Sequence, residues 1–201
     1  MTTLLQINAS INHGNGLSRH LADQFVAAYR QRHRDAKIVV REVALADAVP
    51  HLNGERFGAF LARSEERTAA QHAVVAYSDA LIEELRQADI VVIGLPMYNF
   101  GVPSQLKAYF DHIARAGVTF KYSAEGPIGL LTGKRVYVFA ARGGLYAGTP
   151  LDTQTSYVRD FLAFLGMTDV KFVYAEGLAV SAESRDAGLA RAAAEIAQLA
   201  A

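Results

Sequence analysis

The feature that most constrains this chain is an alternation. Short runs of aliphatic and β-branched residues, at 4–7, 37–43, 90–94, 135–141 and 170–175, are separated by longer segments whose apolar residues recur at helical spacing. A strand followed by a helix before the next strand implies crossover connections, hence βαβ units and a parallel sheet. The runs are short and apolar enough to be covered on both faces, 90–94 most of all. Between them, Leu17, Leu21, Phe25 and Ala28 form one stripe, and Val74, Tyr77, Leu81, Leu85 and Ala88 another. Leu106, Phe110 and Ile113 follow Pro103, which suits a first helical position. Tyr157, Phe161 and Leu165 make a fourth stripe, and Leu189, Ala193, Ile196 and Leu199 a last one.

The reading is therefore α/β: a single flavodoxin-like domain over residues 1–201, with five parallel strands and helices on both faces. The strand order 2-1-3-4-5 is taken by analogy, with a ligand crevice at the switch point beside strands 1 and 3. Two stretches exceed that plan. Residues 44–65, opening Ala44-Leu-Ala-Asp-Ala-Val-Pro50 and including Phe57, Phe60 and Leu61, and residues 117–133 are long apolar excursions, expected to carry function or an interface.

Composition narrows the chemistry. The chain has no cysteine, which excludes disulfides, thiolate metal sites, iron–sulfur clusters and a cysteine nucleophile. Redox work would have to come from a bound cofactor. Lysine plus arginine equals aspartate plus glutamate at 20 each, without blocks of either sign, so neither nucleic acid nor an anionic membrane is an expected partner. The start of the chain shows no signal-peptide pattern, and no apolar run approaches the ~18 residues of a membrane span. A cytoplasmic protein acting on small molecules is expected.

Three loops carry site-like residues. After strand 1 comes Asn8-Ala-Ser10-Ile-Asn-His-Gly14-Asn-Gly16-Leu-Ser18, then a helix. A small loop feeding a helix N-terminus offers free N–H groups and the positive end of a dipole to a phosphate, with Ser10 and Ser18 as hydroxyl donors. The same residues could equally only turn the chain and cap the helix. The loop is neither G-x-G-x-x-G nor a P-loop, and no lysine or arginine precedes Arg19, so a mononucleotide fits better than a triphosphate. After strand 3, Met97, Tyr98, Asn99 and Phe100 would line a crevice for a flat ring, with Asn99 at its edge, although a strand end with core aromatics reads similarly. After strand 4, Arg142-Gly143-Gly144 permits close backbone approach to a ring, or simply a turn. The six histidines show no metal-ligand spacing, so no metal is expected, and no nucleophile elbow surrounds Ser10 or Ser18.

At these residues the sequence resembles the bacterial FMN-dependent NADH:quinone oxidoreductases, or azoreductases. The likeness runs through Pro-Met-Tyr-Asn-Phe at 96–100, the segments 103–111 and 114–120, the Arg-Gly-Gly turn at 142–144, and 161–169. It implies a homodimer with one FMN per subunit and each site completed by the partner chain. It assigns the phosphate to Ser10 and to the turn Gly16-Leu17-Ser18, and the flavin ring to Met97, Tyr98, Asn99, Phe100, Arg142, Gly143 and Gly144. Gly16 stands where the family has a serine, which implies weaker FMN retention. Tyr146 stands where a histidine is often found, so no proton-donating role is carried over. Phe60, Phe120, Tyr146 and Phe164 become the walls of a substrate pocket, with Phe60 reaching the partner's site. The implied chemistry is ping-pong: hydride passes from NADH or NADPH to the flavin N5, then to a quinone or an aromatic azo compound, with no catalytic side chain. A flavodoxin-type electron carrier, an FMN reductase that releases flavin, and a non-flavin binding module are the alternatives.

Overall fold

A computed structural model describes residues 1–45 and 49–200. In chain order the elements are β1 (Thr3–Asn8), α1 (Leu17–Arg32), β2 (Lys37–Glu42), α2 (Gly54–Leu61), α3 (Ala69–Gln87), β3 (Ile90–Pro96), α4 (Ser104–Ile113), β4 (Phe120–Ser123), β5 (Gly126–Gly129), β6 (Arg135–Ala141), α5 (Thr155–Phe164), β7 (Asp169–Ala175) and α6 (Ala182–Leu199). The main sheet runs β2-β1-β3-β6-β7 and every pair in it is parallel. Numbered as sheet strands alone, that is the expected 2-1-3-4-5.

The central strand shows why the order holds. All of β3 is buried, and its side chains divide by the period of two that a pleated strand imposes. Val91, Ile93 and Leu95 join one core with Leu81, Leu106, Phe110, Val158 and Leu162, from α3, α4 and α5. Ile90 and Val92 join the other with Leu21, Phe25 and Ile196, from α1 and α6. Each such aliphatic side chain contributes roughly 1.5–3 kcal/mol on burial, so a strand apolar on both faces demands helices on both.

The excursions hold structure that the sequence reading left blank. Within 44–65 lies α2, capped by the Asn53 side chain accepting from Arg56 N–H at 2.9 Å; residues 46–48 of that stretch lie outside the described ones. Within 117–133, β4 and β5 pair as an antiparallel hairpin with Phe120 opposite Gly129. Its second strand, Gly-Pro-Ile-Gly, is a poor match to any strand propensity. Two helical stripes are offset from expectation. In α5 the deepest side chains are Val158 and Leu162, with Tyr157 and Phe161 beside them, and in α6 they are Gly188, Ala192 and Ile196, while Ala193 is exposed. Gly188 lets α6 approach the end of β7 closely, since a Cβ there would collide with the Glu176 carbonyl oxygen, and this sets which face is buried. Pro103 caps α4 from outside instead of occupying its first turn.

Because β1, β3 and β6 are adjacent and parallel, the loops that leave them emerge along one edge of the sheet. Asn8 lies opposite Gly94 and Pro96 opposite Ala141.

Candidate functional site

Beyond β1 the chain makes a short 3-10 turn at His13–Asn15 and enters α1 at Gly16, with no side chain capping the helix. The first helical bond runs from His20 N–H to Gly16 O at 3.0 Å. The N–H groups of Leu17, Ser18 and Arg19 therefore have no intrahelical acceptor and form the positive pole of the helix. Ser18 is 1% exposed, and its hydroxyl is buried without a partner. A hydroxyl left so costs about 1–3 kcal/mol, which an incoming acceptor would recover. Ser10 is also buried, and its Oγ accepts from Asn12 N–H at 3.2 Å. A Cβ at Gly16 would lie 2.5 Å from Ser10 Cβ, so this loop has no room for a serine at 16 while Ser10 stays where it is. Arg19, the first cation after the loop, turns to Glu42 at 2.7 Å and Asp23 at 3.6 Å.

Beyond β3 the chain reverses at once. Tyr98 N–H donates to Gly101 O at 3.2 Å and Gly101 N–H to Tyr98 O at 2.9 Å, around Asn99 at φ 50° and Phe100 at φ 63°. Positive φ at both central residues is the requirement of a type I′ turn, which suits asparagine and strains phenylalanine by about 1–2 kcal/mol. The strain is held from α5's side. Gln154 Nε2 donates to Pro96 O at 2.8 Å and to Gly101 O at 2.9 Å, and the Thr153 hydroxyl donates to Phe100 O. The Tyr98 hydroxyl lies 3.4 Å from Ser10 Oγ and accepts from Ile11 N–H at 3.3 Å, joining the first two loops.

Beyond β6 the chain places Arg142. It belongs to the wall of the site, yet its guanidinium is fully buried and neutralised by Asp152 at 2.9 Å and Glu176 at 3.1 Å, with Thr155 Oγ1 at 3.0 Å and the Tyr174 ring beneath it. Two carboxylates of its own chain neutralise it, while its Nε is buried without a hydrogen-bond partner. Glu176 Oε1 also accepts from Tyr146 N–H at 3.0 Å and Ala147 N–H at 2.9 Å, fixing the loop after the glycines. Burial pushes the Asp152 carboxyl up, but the Arg142 guanidinium and the Thr155 hydroxyl and N–H together hold it below its ordinary value. A Cβ at Gly144 would lie 2.6 Å from Cζ and Oη of Tyr146, so its close approach is to a ring of its own loop.

These loops enclose a cleft of about 370 Å³, in the size range of small-molecule sites. Ser10, Leu17 and Ser18 line one end, and Met97, Tyr98, Arg142 and Gly143 the other. A second hollow of about 270 Å³ shares Met97 and Gly143 and adds Asn99, Phe100 and Tyr146, the last two meeting edge to face at 5.6 Å. The remaining predicted walls do not join them within this chain. Phe120 and Phe164 pack on each other at 4.3 Å between the hairpin and α5, with Phe120 only 7% exposed. Phe60 lies against the His112 ring at 6.1 Å and the Arg115 guanidinium at 4.9 Å. The sequence reading missed Arg185, Gln154 and Glu176. Glu176 directly follows β7, so its place at a strand end was a usable signal; nothing local marks Gln154 or Arg185. Among the described residues no acidic, histidine or cysteine cluster could hold a metal, and no helix is long and apolar enough to cross a membrane.

A family model described as flavodoxin-like fold matches residues 2–200. An FMN-dependent NADH:quinone oxidoreductase of Burkholderia lata is 56% identical over 192 residues, 96% of each chain. The chain belongs to the FMN-dependent NADH:quinone oxidoreductase family. Another member, from Cellvibrio japonicus, is 55% identical over 178 residues, 89% of each chain. Among solved structures, an FMN-dependent NADH-azoreductase from Bacillus anthracis in complex with FMN superposes with a TM-score of 0.89 at 28% identity, covering 100% of this chain and 98% of that one. In this member of the family the cleft lies at the carboxyl ends of β1, β3 and β6, lined by Ser10, Ser18, Met97 and Tyr98.

Proposed function

We propose that this chain binds FMN and acts as an NADH:quinone oxidoreductase that also reductively cleaves aromatic azo compounds. One observation carries the reading: a cleft joins an uncapped helix N-terminus and the partnerless Ser18 hydroxyl to Met97, Tyr98 and Gly143, which it shares in part with the neighbouring hollow of Asn99 and Phe100, in a chain 56% identical to a relative so named. The fit to FMN is good at both ends. The N–H groups of α1 with Ser10 and Ser18 would take the phosphate, and Pro96, Met97, Tyr98 and Gly143 would border the ring, with Asn99 and Phe100 at its margin. When bound, FMN supplies at N5 the centre that accepts hydride from NADH and passes it to the acceptor.

The chain's own residues bind and orient. The buried serines and helix dipole would hold the phosphate, and the type I′ turn would present the amide of Asn99 beside the hollow that Phe100 and Tyr146 border. No side chain there is assigned as an essential acid. Relatives named as oxidoreductases favour turnover over an electron carrier. A second copy is proposed to complete the acceptor pocket, with Phe60 reaching the partner's site; the exposed Phe57 and Leu61 beside Phe60 support such a contact. The absence of cysteine is compatible with the cytoplasm, where NADH is available.

The direct test is colour. The purified protein should be yellow, bleach with NADH under anaerobic conditions, and recover colour when a quinone is added. A preparation that stays colourless after FMN is supplied overturns the reading.

A further inference from the structure

We infer that Arg185, from the far end of the chain, is the cation that meets the phosphate of the bound mononucleotide. The inference rests on the FMN reading and extends it. A phosphomonoester carries close to two negative charges, whereas a helix N-terminus offers the equivalent of about half a positive one. Ser10 and Ser18 add donors but no charge. The cations nearest in sequence are already spent: Arg19 on Glu42 and Asp23, and Arg142 on Asp152 and Glu176.

Arg185 is different. It lines the same cleft as Ser10, Asn12, Asn15 and Ser18. Among the described residues its guanidinium has neither an acidic partner nor a hydrogen bond. It also sits just past the first turn of α6, whose N-cap Ser181 already accepts from Ser184 N–H at 3.1 Å. Near that positive pole a helix gains nothing from a cation, so its own element does not account for it. The guanidinium fork matches phosphate oxygens, and a side chain reaching in from solvent can close on the anion after it has docked against α1. The independent sign that an acceptor belongs here is the Ser18 hydroxyl, buried and unpaired in the same wall.

The consequence is selectivity for the phosphorylated flavin. Dissociation constants for FMN and riboflavin, measured by flavin fluorescence on the full-length chain and its variants, test it. Arg185→Ala should raise the Kd for FMN about five-fold, Arg185→Glu should raise it further, and Arg185→Lys should restore most of the affinity. Riboflavin binding should be the same in all four proteins, and the gap between parent and Arg185→Ala should narrow at high salt. Unchanged FMN binding in both Arg185→Ala and Arg185→Glu overturns the role of Arg185 while leaving the FMN reading intact, as does an equal loss of riboflavin binding. A parent chain that takes up neither flavin overturns the FMN reading itself and the inference with it.

Discussion

Asn99 and Phe100 both sit at positive φ, which separates what the side chain at 99 does for the backbone from what it does for a ligand. Asn99→Gly keeps the turn and loses the amide; Asn99→Ala loses the amide and adds about 1 kcal/mol of backbone strain. Both should slow flavin reduction by NADH in stopped-flow measurements, while only the alanine variant should lower the urea midpoint. Unchanged reduction in both would move the ring edge away from Asn99. Ser18 allows an opposite pairing of signs. In the flavin-free chain its hydroxyl is a buried donor without a partner, so Ser18→Ala should leave stability unchanged or raise it by up to about 1 kcal/mol, yet weaken FMN binding about five-fold. A drop in flavin-free stability would show that the hydroxyl has a protein partner. The candidate status of Asn99 and Ser18 was legible from their places after strands; the strained turn and the orphan hydroxyl were not, because both depend on residues brought in from other loops.

The segment just before α5 acts as a strap across two loops. Gln154 and Thr153 hold the turn after β3, and Asp152 holds Arg142, which Glu176 ties to the loop after β6. Asp152 titrates below its ordinary value of 3.8 in the folded chain. Its contribution is therefore complete above that value and is lost as pH falls through the lower, folded one. At pH near 7, Asp152→Asn should be less stable by roughly 1–3 kcal/mol, because Arg142 keeps only Glu176 as a charged partner. Urea unfolding along a pH series should show that gap closing below the ordinary carboxylate value, as the parent protonates. A gap that persists undiminished to about pH 2 would contradict the ion-pair account. None of this strap was visible in the linear sequence, where Asp152-Thr-Gln-Thr155 reads as a polar loop before a helix.

Across the whole molecule, the two cores leave the two excursions with unburied apolar side chains. Phe57 is 51% exposed, Leu61 71% and Tyr122 75%. A neutral chain with such surface on α2 and on the hairpin is expected to pair with a copy of itself. Sedimentation velocity should give a dimer at micromolar concentration, and Leu61→Glu should shift it towards monomer with a loss of quinone reductase activity exceeding any loss of FMN binding. A monomer with full activity would place the entire acceptor pocket within one chain.

The sequence by itself determined the parallel sheet, its order by analogy, and the edge on which the loops converge, because hydrophobic periodicity is a local signal and crossover topology follows from it. The family resemblance likewise rested on contiguous segments. Only the tertiary structure decided which polar groups in that crevice are free. Arg142 and Arg19 look available in the sequence and are neutralised by carboxylates at 152, 176, 42 and 23, whereas Arg185 looks remote and lines the cleft unpaired. Charge pairing is settled by distances between residues far apart in the chain, and those distances exist only once the sheet has closed its two cores.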